Sequence, residues 1–160
     1  MDYRIVEKGA FTVTGKIREV FTQDGSNLRE IPAFWQECAQ DGTAMKLDAL
    51  NEGGEMYGIC MDFTGEGRFN YMIGVETAAG GEEAEGFVSR EIPALTWAVF
   101  TSTGPMPGAI QQVWQQIYSD WFPSSGYEHA AGPEMEVYPP GDTTSPEYRC
   151  EVWIPVVKGH

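Results

Sequence analysis

The chain has 160 residues, 42% hydrophobic and 12% aromatic, with 24 acidic and 10 basic side chains for a formal net charge of −14. That length suits one domain with a proper core, and the composition excludes a disordered chain. The acidic balance argues against direct nucleic-acid binding, which needs Lys and Arg to neutralise phosphates, and favours cationic ligands or basic protein surfaces.

No apolar run approaches about eighteen residues, so no membrane span is expected. The start, Met1-Asp2-Tyr3-Arg4, lacks the basic and apolar regions of a secretory signal, and the expected location is the cytoplasm.

Residues 3–22 alternate loosely and are rich in Val, Ile, Phe and Thr, which predicts strand broken at Gly9. Asp24-Gly25-Ser26-Asn27 turns the chain and can cap a helix. Leu28, Ile31, Trp35 and Cys38 then recur at helical spacing, with Pro32 tolerated near the first turn and Asp41-Gly42 as the stop. After the loop at Glu52-Gly53-Gly54, Tyr57, Ile59, Met61 and Phe63 alternate as a strand. Gly65-Glu66-Gly67 turns into its hairpin partner, Phe69, Tyr71, Ile73 and Val75. The small, acidic residues 78–86 read as a connector.

The same order then repeats. Residues 87–103 are extended, and Gly104-Pro105-Met106-Pro107-Gly108 turns. Ile110, Val113, Trp114, Ile117 and Trp121 line one helical face. Short strands follow at residues 134–138 and 147–156, joined through Pro139-Pro140-Gly141-Asp142. The fold class is therefore α+β: duplicated β-α-β-β units (about 1–77 and 87–160) forming one domain, with antiparallel sheets, helices on one side and a cleft near a pseudo-twofold axis. Local similarity supports the repeat, since Ile31-Pro32-Ala33-Phe34-Trp35-Gln36-Glu37 echoes Ile110-Gln111-Gln112-Val113-Trp114-Gln115-Gln116.

On the final strand, period-two alternation puts Tyr148, Cys150, Val152, Ile154 and Val156 on a core face and Arg149, Glu151 and Trp153 on the other. A carboxylate beside an indole in an apolar strand is either exposed, paired with Arg149 or a cross-strand Lys, or placed to meet a positive charge. Trp35, Trp114 and Trp121 sit among aliphatic residues at helical spacing and read as core.

Cys38, Cys60 and Cys150 lie far apart, without CxxC spacing, so buried thiols are expected rather than disulfides or a zinc site. His129 and His160 read as solvated. Neither fits a Ser-His-Asp arrangement, there is no phosphate loop, and 62–67 is not a calcium loop. No metal or cofactor is expected.

The duplicated layout resembles the gyrase-inhibitor-like small-molecule-binding family, which also supplies the effector-binding region of some AraC-type and MerR-type multidrug regulators. Further points of likeness are Trp121-Phe122-Pro123, Pro133-Glu134-Met135-Glu136-Val137-Tyr138, and the ending Cys150-Glu151-Val152-Trp153-Ile154-Pro155-Val156. The resemblance implies a central cleft for amphipathic, cationic small molecules. Glu151 would face the cation with Trp153 stacking beside it, Glu136 and Tyr138 would form a second position, and Tyr57 and Trp97 would close the cleft. The duplication leaves no room for a helix-turn-helix, so a stand-alone member is expected.

Two other activities occur in the family and stay open here. One is hydrolysis of cyclopropane-containing toxins, for which Glu151 or Glu136 would act as acid or base with Tyr57 or Tyr138 orienting water. The other is inhibition of DNA gyrase by protein–protein contact through the acidic surface. A gyrase or a DNA-binding regulator is the protein partner implied.

Overall fold

The computed structural model describes residues 2–78 and 86–159. Among these described residues, nine strands form one antiparallel sheet in the order β1-β6-β9-β8-β3-β4-β2-β5, with β7 added on β9. They are β1 Tyr3–Lys8, β2 Phe11–Phe21, β3 Met56–Met61, β4 Arg68–Thr77, β5 Val88–Ile92, β6 Leu95–Thr103, β7 Tyr127–His129, β8 Glu134–Tyr138 and β9 Arg149–Lys158. Helix α1 is Asn27–Gln40, α2 is Thr43–Leu50 and α3 is Gly108–Gln116, which runs on through a π-helical turn, Ile117–Trp121, and a last turn, Phe122–Ser125.

Connectivity makes the sheet curl. Gly9-Ala10 alone joins β1 to β2, and Pro93-Ala94 joins β5 to β6, yet five strands stand between the members of each pair. A two-residue link reaches only about 10 Å, so the ends of the sheet come together. Lys8 of β1 meets Glu76 of β4 at 3.7 Å across that seam.

Pairing register assigns the two faces. The neighbours Ile73, Gly58, Glu136, Val152 and Phe100 share one face. The next row, Met72, Ile59, Met135, Trp153 and Val99, shares the other. The first face carries the helices. Phe34 and Cys38 of α1 and Leu47 of α2 pack with Val20, Tyr71, Ile73 and Val75. Ile110 of α3, with Ile117 and Trp121, packs with Phe100, Cys150, Val152 and Ile154. The second face is enclosed by the curl, around Val13, Tyr57, Ile59, Met72, Trp97 and Val99. Each fully buried side chain of this size contributes about 1.5–3 kcal/mol.

The expected α+β class, antiparallel pairing and one-sided helices describe this fold. Several local expectations need correction. Helix α2 and strand β7 were not anticipated, and the extended stretch 87–103 is two strands broken at Pro93-Ala94. Leu28 does not join the α1 stripe; it is 60% exposed, and Phe34 is buried instead. Pro32 falls in the second turn of α1, which continues through it. Phe63 lies beyond the end of β3 and is exposed. The connector expected at 78–86 falls, except for its two ends, outside the described residues, as does His160.

Candidate functional site

The six residues nominated from the sequence do not meet in one cleft. Glu136 pairs with Val152 in the β8–β9 ladder, whereas Glu151 pairs with Val137. The two carboxylates thus stand in adjacent rows, and strand alternation sends them to opposite faces.

Glu151 belongs to the enclosed face. Its carboxylate takes an ion pair from Arg4 at 2.8 Å and a hydrogen bond from the Trp153 indole at 3.2 Å. The expected counter-charge on Arg149 or a Lys is therefore replaced by Arg4, one strand beyond β6. Trp153 stands edge-on to Trp97, with centroids 5.9 Å apart. Trp97 is fully buried and Tyr57 nearly so, which makes both parts of the core in this conformation rather than walls of an opening. Burial, with Glu76 and Glu55 adding to it, pushes the Tyr57 phenol up to about 12. Arg4 is half-exposed, so Arg4→Ala is expected to change stability by less than about 1 kcal/mol, as read by urea unfolding.

Glu136 and Tyr138 lie on the helix-bearing face, between α1 and α3. Glu136 is 9% exposed. The Tyr71 hydroxyl donates to its Oε1 at 2.9 Å, and the Trp114 indole N–H donates to its Oε2 at 2.9 Å. The nearby Tyr138 hydroxyl also favours its charged form. Trp35 donates its indole N–H to the Tyr71 hydroxyl at 2.8 Å and meets the Tyr138 ring edge-on at 5.1 Å. Two indoles, one from each helix, thus cover a carboxylate on the strand pair between them.

The local sequence explains the arrangement. Trp35 and Trp114 occupy matching places in the two echoing helical segments. Gly58, the direct partner of Glu136, leaves space that a side chain would fill. A Cβ there would lie 2.0 Å from the Tyr71 hydroxyl and 3.1 Å from Glu136 Oε1.

Burial pushes the Glu136 carboxyl above its ordinary range, and Trp114, Tyr71 and Tyr138 offset this only in part. All three are neutral. Among the described residues no Lys, Arg or His forms an ion pair with Glu136. A buried carboxylate served only by neutral donors stays short of positive charge.

Glu134, two residues earlier on the same face of β8, accepts a hydrogen bond from the Tyr118 hydroxyl and lies 3.5 Å from His129 Nε2. Donation to the Glu134 carboxylate raises the His129 imidazole above its ordinary range. His129 is exposed, as read from the sequence, and also lies beside Glu134. Cys60 pairs with Glu134 across β3–β8, and burial, with Glu136 and Glu134 nearby, holds its thiol well above the ordinary range.

Sequence reasoning missed Trp35, Trp114, Tyr71 and Gly58. The first two were assigned to core packing. Their matching positions in the repeated segments were the available signal. A separate cavity of about 530 Å³ opens near Met61, Arg90, Ile92 and His129 and includes none of the nominated residues. Its Arg90 and Asp62 neutralise each other at 3.3 Å, so the unneutralised Glu136 is the stronger functional feature.

A curled antiparallel sheet thus carries α1 and α3 on one face, with a buried carboxylate held on the strand pair beneath them. The sequence pattern of the GyrI-like small molecule binding domain matches residues 1–157, and the chain belongs to that family. It is 30% identical over 159 residues to the transcriptional regulator BrlR of Pseudomonas aeruginosa, covering 98% of this chain and 56% of the regulator. It is 34% identical over 77 residues to a DNA gyrase inhibitor of Erwinia billingiae, covering 48% of this chain and 49% of the inhibitor. The chain therefore spans about half the length of these curated relatives. Among solved structures, SAV2435 bound to tetraphenylphosphonium superimposes with a TM-score of 0.88 at 26% identity, covering 98% of this chain and 94% of that one. The chain is thus a small-molecule-binding domain related to the effector domains of transcription regulators.

Proposed function

We propose that this domain captures or senses amphipathic organic cations, which enter between α1 and α3 and set their charge against Glu136. The observation that carries the reading is the Glu136 carboxylate itself, buried and served only by the neutral groups Tyr71, Trp114 and Tyr138. A cation there gains Coulomb attraction in a site already shielded from water. The faces of Trp35, Trp114 and Tyr138 add about 0.5–2 kcal/mol each through their ring quadrupoles. The ligand of SAV2435, a lipophilic monocation, has this chemistry.

Admission requires the Trp114 indole to leave Glu136, so binding is coupled to movement of α3. Such a movement is a means of signalling to an attached or partner protein. Likeness to BrlR along nearly the whole chain supports a role as the effector-reading part of transcription regulation. The mirrored placement of β2-β4-β3 and β6-β9-β8 about the central β3–β8 pair supports an origin by duplication of a β-α-β-β unit.

Titration with tetraphenylphosphonium, followed by tryptophan fluorescence, tests the site. Wild type and Glu151→Gln are expected to bind alike, within about twofold, because Glu151 already has Arg4 and faces the other side. Glu136→Gln is expected to lose binding. Loss confined to Glu151→Gln would instead put the ligand on the enclosed face.

A further inference from the structure

Glu134 is a second carboxylate close to Glu136, and unlike Glu136 it has an imidazole beside it, His129. Both residues point to the helix-bearing face from β8, two positions apart, a spacing of about 7 Å along a strand. Both are bound by the same helical wall, Glu136 through Trp114 and Glu134 through Tyr118. Those two rings are themselves parallel, within 9°, with centroids 6.4 Å apart. The Glu134 side chain is only 13% exposed, so it is no solvated rim charge. Its one ion-pair partner among the described residues is His129, at 3.5 Å.

The geometry points to Glu134 as a second charge-reading position, which makes this cleft select organic dications whose positive heads are about one strand repeat apart. This rests on the reading of Glu136 as the first cation position. A ligand seated at Glu136 must displace Trp114, and the same movement carries Tyr118, one helical turn further on, away from Glu134. A second positive head then takes the place of the Tyr118 hydroxyl and of the His129 imidazole. His129 occupies that place in this structure, its imidazole held 3.5 Å from Glu134. A monocation satisfies Glu136 and leaves the Glu134–His129 pair in place. A dication of suitable length replaces both arrangements and gains a second partly buried ion pair, which is shielded less by salt than a surface pair.

Calorimetry with three probes separates this inference from the reading beneath it. Tetraphenylphosphonium reports the Glu136 position alone. Benzyltrimethylammonium and 1,4-bis(trimethylammoniomethyl)benzene differ by one cationic head. Wild type is expected to prefer the dication over its half by about tenfold, equivalent to about 1.4 kcal/mol. Glu134→Gln is expected to cut that preference to about twofold, the statistical advantage of two identical heads. Urea unfolding of the same variant checks separately that it is folded.

The inference is overturned if wild type shows no preference for the dication. It is equally overturned if Glu134→Gln keeps the preference, or if that variant weakens all three probes together, because Glu134 would then position the α3 wall rather than read charge. In each of these cases Glu136-dependent binding of tetraphenylphosphonium still upholds the cation site. Failure of wild type to bind any probe removes both.

Discussion

Glu136→Gln is expected to lower affinity for tetraphenylphosphonium by about 30-fold or more and, in the same molecule, to raise the melting temperature. The first effect follows from removing the charge that a monocation seated in the proposed site would meet. Truncating one partner of a buried charge pair costs about 2 kcal/mol or more, and about 2 kcal/mol is roughly 30-fold.

The second effect follows from the empty site. Burial is the largest influence on the Glu136 carboxyl and drives it above its ordinary range, so the folded protein holds the proton more tightly than the unfolded chain does. A carboxyl raised in this way leaves stability untouched at low pH, where both states are protonated. Stability then falls as pH rises from the ordinary carboxyl range through the raised folded value. Above that value the protein carries the full burden of a desolvated carboxylate.

Glutamine removes this burden while keeping an acceptor oxygen for the Trp114 N–H. Its amide can also donate to the Tyr71 oxygen. The expected gain is on the order of 1–2 kcal/mol at neutral pH, or roughly 2–8 °C in a domain of this size. Thermal unfolding across the pH range checks it: the two proteins should converge in acid and separate towards neutral pH. A variant less stable than wild type at neutral pH would show that Glu136 is held as a structural anion. A cation sensor would be held instead at a cost in stability that its ligand relieves.

This conflict between stability and binding explains what could and could not be read along the chain. Alternation on β9 correctly sets Tyr148, Cys150, Val152, Ile154 and Val156 on the face that the helices cover. It likewise separates Glu151 from them. Alternation cannot say how β9 registers against β8, and that register is what makes Glu136, not Glu151, the neighbour of Val152 under α3.

The helical stripe of Trp35 and Trp114 has the same spacing whether its neighbours are aliphatic or a carboxylate, so periodicity alone assigns both to the core. Helix α2 escaped because its apolar pattern is weak: Leu47 is buried, but Met45 is 77% exposed. The exchange of β1 onto β6 and β5 onto β2 is a non-local pairing that leaves no local trace beyond the short breaks at Gly9-Ala10 and Pro93-Ala94. Composition and order of elements therefore gave the class of fold. The site depended on side-chain meetings between strands and helices far apart in sequence, such as Tyr71 with Glu136, 65 residues away.

Gly58→Ala is expected to damage both stability and binding, although the substitution adds one methyl group to a strand. The new Cβ would lie 2.0 Å from the Tyr71 hydroxyl oxygen and 2.9 Å from Cζ of the same ring. Tyr71 cannot swing aside easily. It is fully buried, packs edge-on against Phe34 with centroids 6.4 Å apart, and its oxygen receives the Trp35 N–H. Overpacking of this kind costs about 1–3 kcal/mol. Any shift that relieves the contact also pulls the hydroxyl from Glu136 Oε1, leaving that buried carboxylate with fewer donors and its proton held more tightly. Binding of tetraphenylphosphonium should then fall at neutral pH.

A double-mutant cycle with Tyr71→Phe isolates the cause. Because the phenylalanine ring lacks the atom that the Cβ meets most closely, Gly58→Ala should destabilise the Tyr71→Phe protein by less than it destabilises wild type, with a coupling of about 0.5–3 kcal/mol. Urea unfolding of the four proteins measures it. Additive effects would mean that Gly58 is required for strand geometry alone. Coupled effects would mean that its missing side chain is the space in which the Tyr71–Glu136 hydrogen bond is built.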